Sequence, residues 1–264
     1  MIEKEGFDLK PPVDFLADYR NPCWFSKRGS LRCLPYCYLL GFTKSATTDL
    51  WTRMTKHPSV IGSSDGLTKE MHWWGRGRYA SGGTRLLGNY YSKHYGETLA
   101  KSARNKSRIM CDGSPDTIWN PGITMEAQLR ASRSYFHLVP APTVLPASLI
   151  KEFTPKAKFV IIMRNPTERL FSHYRYRGPS TNVDSHLNRT LENFDAGVKQ
   201  MKPILDFCFE KKSIRDCAYD PAFLLDGERT RVLLQVGLYV VYIKDWLTVF
   251  PRNQFYFTTT EEYG

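Results

Sequence analysis

The sequence predicts a single α/β domain built on a central, mostly parallel sheet flanked by helices. Three observations lead there. Short apolar runs of strand length recur along the chain, and stretches with apolar residues at helical spacing lie between them. The chain has 264 residues, 42% hydrophobic and 14% aromatic, which supplies one sizeable core. Strands that alternate with helices pair in parallel and are covered on both faces.

The elements follow in order. Residues 1–34 are rich in proline, cysteine and charge and predict an irregular, stapled opening segment of the domain spanning 1–264. "PYCYLLGF" (35–42) is an apolar run after a proline, a buried strand. "TTDLWTRMTKH" (47–57) places Leu50 and Met54 on one helical face, and Pro58 ends it. Residues 60–107 are Gly-rich, basic and aromatic with weak periodicity, which suggests a functional surface. "RIMCDGS" (108–114) is a strand entering a turn, "ASLIKEF" (147–153) a short helix and "KFVIIMR" (158–164) a strongly apolar strand. "NPTERLFSHYRYR" (165–177) begins a helix: Asn165 caps it, Pro166 suits the first turn, and Glu168 can reach back as in a capping box. Residues 178–228 are mixed and polar. Residues 229–250 predict a buried helix stopped by Pro251, and "QFYFTTT" (254–260) a final strand.

The net charge is +11, from 37 Lys+Arg against 26 Asp+Glu, which favours an anionic partner: nucleic acid, an acidic membrane or an acidic polysaccharide. No nucleic-acid motif is present, so a nucleic-acid partner is not expected. Six cysteines include two locally spaced pairs, Cys23 with Cys33 and Cys208 with Cys217, and no zinc-like CxxC, so no metal site is expected. Short-loop disulfides contribute on the order of 3 kcal/mol each in a lumenal or extracellular compartment. Cys37 and Cys111 lie in apolar runs and read as buried thiols. "NKS" at Asn105 and "NRT" at Asn188 are glycosylation acceptor patterns. No apolar run approaches about 18 residues, so a membrane anchor or targeting segment, if the protein is secretory, is expected outside this chain.

The stretch "YLLGFTKSATTDLWTRM" (38–54) joins a strand, a tight turn and a helix start. Backbone N–H groups at such a terminus point at an anion, and the helix dipole favours negative charge. Lys44 adds a mobile cation, and Thr47 and Thr48 add hydroxyl donors. A Walker A loop needs GxxxxGK[ST]; Gly41 lies too near Lys44 for that. A second strand-end site has Arg164 at the end of "FVIIMR" and Ser172 one helical stretch later. Two such sites suit a ligand with two separated phosphates.

This pair resembles the sulfotransferase superfamily, whose 5′-phosphosulfate loop is written KxGTT and whose 3′-phosphate motif is an Arg with a downstream Ser. "NPCW", "LRCLPY", "TTDL", "KEMHWW", "MRNPTERLFSHYRY" and "LQVGLYVVYIKDWLTVF", in order from Asn21 to Phe250, resemble the carbohydrate sulfotransferase 15 family, which sulfates the 6-hydroxyl of N-acetylgalactosamine 4-sulfate. The resemblance implies a P-loop-like sulfotransferase fold and 3′-phosphoadenosine 5′-phosphosulfate as donor, without a metal. Lys44, Ser45, Thr47 and Thr48 would cradle its 5′ end, and Arg164 and Ser172 its 3′-phosphate. Ala46 stands where the family has glycine; a positive φ there strains alanine by about 1 kcal/mol, and a negative one does not.

The resemblance also implies that Glu70 of "KEMHWW" is the general base, with His72 orienting it or touching the sugar. Lys44 would neutralise the departing bridging oxygen. Lys69 would meet acidic groups of the acceptor, Trp73 and Trp74 would stack on sugar faces or fill core, and Arg76, Arg78, Arg85 and Lys93 suit a sulfated chain. Without the resemblance, Glu70 reads as a solvated carboxylate. "CFEKKSIRDC" (208–217) is similar to a disulfide-closed loop of the family. The implied acceptor is chondroitin or dermatan sulfate and the implied location the Golgi lumen. A heparan sulfate acceptor, or a glycosaminoglycan-binding module without activity, are the alternatives. Family members continue beyond this point with a loop over the donor, which makes weak or absent activity the expectation for the chain ending at Gly264.

Overall fold

A computed structural model describes residues 14–62, 69–75, 87–88, 91, 95, 105–120, 141–176, 189–223 and 230–263. Five strands form one parallel sheet: β3 (Cys37–Gly41), β4 (Val60–Ile61), β5 (Ile109–Asp112), β6 (Lys158–Met163) and β7 (Phe255–Thr259), in the order β4-β5-β3-β6-β7. The predicted α/β class with a parallel sheet is what the chain adopts. β3, the central strand, is buried at every position. Such a strand lacks polar alternation because both faces are covered.

Helix α1 (Thr47–Lys56) follows β3. Then come α2 (Pro146–Phe153), α3 (Pro166–Arg175), α4 (Leu191–Lys211), α5 (Ile214–Tyr219), α6 (Tyr239–Val249) and the short α7 (Thr260–Tyr263). Asn165 caps α3 as expected, accepting from the amides of Thr167 and Glu168. The capping box does not form: Glu168 turns to Arg164, and the Asn165 amide donates to Glu261.

Four other expectations change. The opening segment contains an antiparallel hairpin, β1 (Cys23–Phe25) with β2 (Leu31–Cys33), in which Cys23 and Cys33 face each other and are bonded. The polar stretch 178–228 holds the longest described helix, α4, with Met201, Leu205 and Cys208 buried on one side and an exposed Pro203 on the other. The second disulfide, Cys208–Cys217, ties α4 to α5. From Arg231 onward, the run predicted as one helix is α-helical only over Tyr239–Val249. Before it, Arg231 takes a left-handed φ of 57° and Gln235–Gly237 forms a 3-10 turn, because Val232, Leu233 and Val236 are buried as irregular chain. The helix itself is half surface: Val240 is 58% exposed, while Tyr242 and Trp246 are buried.

The fourth change concerns 60–107. Its described aromatics are core, not surface: Trp73, Trp74, Tyr91 and Tyr95 are fully buried in the same cluster as Tyr38, Phe159 and Trp246. Each fully buried large apolar side chain contributes about 1.5–3 kcal/mol. Cys37 and Cys111 sit opposite each other on β3 and β5 as buried free thiols, as the sequence indicated. Among the described residues, no helix is long and apolar enough to cross a membrane.

Candidate active site at the strand ends

Gly41 of β3 is in register with Ile162 of β6, so the turns leaving these two strands emerge side by side. Ligands in open α/β sheets bind beyond these C-terminal ends. The turn after β3 is tight. The Ser45 amide donates to the Phe42 carbonyl, and Lys44 and Ala46 take left-handed φ angles of 75° and 57°. Ala46 thus occupies the conformation that favours glycine, at a cost of about 1 kcal/mol or more. It is also the N-cap of α1 and supplies no side-chain acceptor, which leaves the first-turn amides for a ligand.

Ser45 departs from expectation. It is fully buried beneath the turn and offers no accessible atom, so it shapes the cradle rather than lining it. Of the two threonines that follow, Thr47 is buried and Thr48 is exposed. Both accept from the Lys69 ammonium, at 3.0 and 3.2 Å. Lys69 is thus nearly buried against the turn that follows β3. Its stem crosses Gly113, where an added Cβ would lie 2.7 Å from Lys69 Cγ and 2.7 Å from Trp51 Cε3. Glycine at 113 is what lets lysine pass.

Lys69 Nζ also lies 2.8 Å from Glu70 Oε1. The other oxygen, Oε2, is 3.1 Å from His72 Nε2, and His72 Nδ1 is 2.6 Å from Asp116 Oδ1. Burial pushes the Glu70 carboxyl up, but the His72 hydrogen bond and the Lys69 charge outweigh it and hold it at about 2. Lys44 is half-buried, with Nζ 3.9 Å from the Tyr176 ring centroid. Burial depresses its pKa; Glu70 opposes this, and Lys69 and Arg164 depress it further. Three cations from three segments thus act on one another at this mouth.

Arg164 stands at the end of β6, where its Nε and Nη2 both reach Glu168 Oε2 at 3.1 Å. Ser172 lies on α3 and is partly exposed. Trp73 and Trp74 have no exposed face, so stacking on a sugar is corrected to core packing. Arg76, Arg78, Arg85, Lys93 and Asn188 lie outside the described residues. Asn105 is exposed, its Oδ1 accepting from Ser107. Sequence reasoning missed Gly113, Ser114, Asp116 and Tyr176. The signal for the first three was present: "DGSPD" follows a strand, and strand ends build sites in this class of fold.

Comparison with known proteins agrees. The sulfotransferase domain family model matches residues 78–264, well over half of the chain. Carbohydrate sulfotransferase 15 of Mus musculus is 31% identical over 256 residues, covering 90% of this chain and 42% of its own length. The Homo sapiens protein of that name is 30% identical over the same share. The chain thus spans about two fifths of the length of these relatives. A solved sulfotransferase from Alicyclobacillus acidocaldarius superposes with a TM-score of 0.49 at 19% identity, over 88% of this chain and 75% of the other. By the family match over residues 78–264, the chain belongs to the sulfotransferase domain family.

Proposed function

We propose that this chain transfers a sulfuryl group from 3′-phosphoadenosine 5′-phosphosulfate to the 6-hydroxyl of N-acetylgalactosamine 4-sulfate in chondroitin or dermatan sulfate. One observation carries the reading: the Lys69 ammonium touches both Thr47 and Thr48 of the anion turn and Glu70 of the base segment. The residues suit the donor. Lys44 is crowded by Lys69 and Arg164, and an anion among these cations would relieve that crowding. Bound there, the donor supplies a sulfuryl group on a phosphate leaving oxygen.

The residues then divide the work. The first-turn amides of α1, Thr47, Thr48 and Lys44 hold the 5′ end, and Arg164 with Ser172 holds the 3′-phosphate. Glu70 takes the proton of the acceptor hydroxyl. A carboxylate held at about 2 by His72 and Lys69 is a weak base, and Glu70 gains basicity if Lys69 turns from it to the donor as the site fills. Lys44 meets the charge that develops on the leaving oxygen, the kind of stabilisation that is often the largest catalytic contribution. Two disulfides and an exposed Asn105 sequon suit an oxidising lumen, which we take to be that of the Golgi. Carbohydrate sulfotransferase 15 relatives motivate the acceptor.

The test is sulfate transfer from labelled donor to chondroitin 4-sulfate and, separately, to heparan sulfate. Transfer to the first alone is expected. Transfer to heparan sulfate alone would move the acceptor. Binding of chondroitin sulfate with no binding of adenosine 3′,5′-bisphosphate would leave a glycosaminoglycan-binding module instead.

A further inference from the structure

His72 is held more firmly than a residue that only lines a cleft. Its backbone is left-handed, with φ 53°, a conformation that costs a non-glycine residue about 1–3 kcal/mol. The cost is met from one turn. The His72 amide donates to Ser114 Oγ at 2.7 Å, and Ser114 Oγ donates in turn to the buried Asp112 at 2.6 Å. Two residues on, Asp116 receives the ring at Nδ1. Asp116 is itself buried at 6% exposure, its carbonyl accepting from the Trp119 and Asn120 amides.

The ring therefore lies between two carboxylates, Glu70 at Nε2 and Asp116 at Nδ1. A carboxylate oxygen faces each ring nitrogen, a geometry that suits a ring donating at both. We propose that Asp116 is a positioning residue: through Nδ1 it fixes the plane and protonation of His72, so that Nε2–H holds the Glu70 carboxylate beside the donor turn. The proposal rests on the reading of Glu70 as the general base. Among the described residues, charged and polar groups around the ring include Lys69, beyond Glu70, and Asp112 and Ser114, from the end of β5 and its turn. The arrangement is a chain from Asp116 through His72 and Glu70 to Lys69 and the turn threonines.

The test is nitrogen-15 spectroscopy of histidine-labelled protein at pH 7, with His72 assigned by His72→Gln. Both ring nitrogens of His72 should be protonated in the wild type. In Asp116→Asn one proton should be lost, and Asp116→Glu should restore it. Turnover on chondroitin 4-sulfate should fall on the order of 10² in Asp116→Asn, with KM and adenosine 3′,5′-bisphosphate affinity unchanged, and the same change should cost little in a His72→Gln background. A singly protonated ring in the wild type overturns the proposal without any variant. So does a ring unaltered by Asp116→Asn, or equal losses from that change with and without His72. Failure of the wild type to bind the bisphosphate would instead sink the sulfotransferase reading and leave the ring result standing.

Discussion

The Lys69 ammonium donates to Thr47 Oγ1 at 3.0 Å across a sequence separation of 22 residues, and so ties the segment that carries Glu70 to the first turn of α1. Lys69→Met keeps the stem beside Trp51 and Gly113 and removes the charge. The lost charge-assisted contacts amount to roughly 1.5–3 kcal/mol, so adenosine 3′,5′-bisphosphate should bind about ten- to a hundredfold more weakly by calorimetric titration. Unchanged affinity would remove Lys69 from the donor site.

Ala46→Gly should stabilise the protein. The residue sits at φ 57°, where glycine is favoured by about 1 kcal/mol or more. Chemical denaturation should show a higher midpoint at unchanged slope. A lower midpoint would mean that entropy lost from the unfolded chain outweighs the relieved strain.

Glu168 pairs with Arg164, the residue proposed to hold the 3′-phosphate, and would compete with that group for it. The pair is exposed, Glu168 at 59%, and exposed pairs contribute at most about 1 kcal/mol. Glu168→Gln should therefore tighten adenosine 3′,5′-bisphosphate by up to about fivefold and leave adenosine 5′-phosphate alone. Weaker binding of the bisphosphate would show that Glu168 orients Arg164 instead of occupying it.

His173, next to Ser172 on α3, is pushed down from 6.5 to about 4, first by burial and then by Arg169, Arg231 and Lys44. Its folded form refuses a proton that the unfolded chain accepts. Stability is thus lost as pH falls from about 6.5 toward about 4. His173→Asn should flatten this part of a stability–pH curve measured by denaturant unfolding. An identical slope in both proteins would assign the loss to other groups.

The fold was legible where both faces of an element are covered. β3 and β6 announce themselves as continuous apolar runs, and α3 by its Asn–Pro start. α4 was not legible, because its buried residues are few and its outer face is polar and carries a proline. The run 229–250 misled for the opposite reason: irregular buried chain and helix are equally apolar there. In the proposed site, Lys44, Thr47, Thr48 and Arg164 stand out locally, because each follows a strand, whereas Glu70 reads as a solvated carboxylate without the family resemblance. Lys69's true partners and Asp116 could not, since their contacts span 22 and 44 residues. Trp73 and Trp74 look alike in sequence whether they face a sugar or the core; only packing decides.

The most direct test of the account is a titration of adenosine 3′,5′-bisphosphate into the wild type, Arg164→Ala and Glu70→Gln. Both phosphate sites are assigned to strand ends within this chain, and Glu70 is assigned to the acceptor side. The wild type should bind. Arg164→Ala should lose roughly 1.5–3 kcal/mol, about ten- to a hundredfold, and lose almost nothing toward adenosine 5′-phosphate. Glu70→Gln should bind as well as the wild type or somewhat better, since a negative charge leaves the mouth of the site. No binding by the wild type, or equal loss of both nucleotides in Arg164→Ala, would contradict the account.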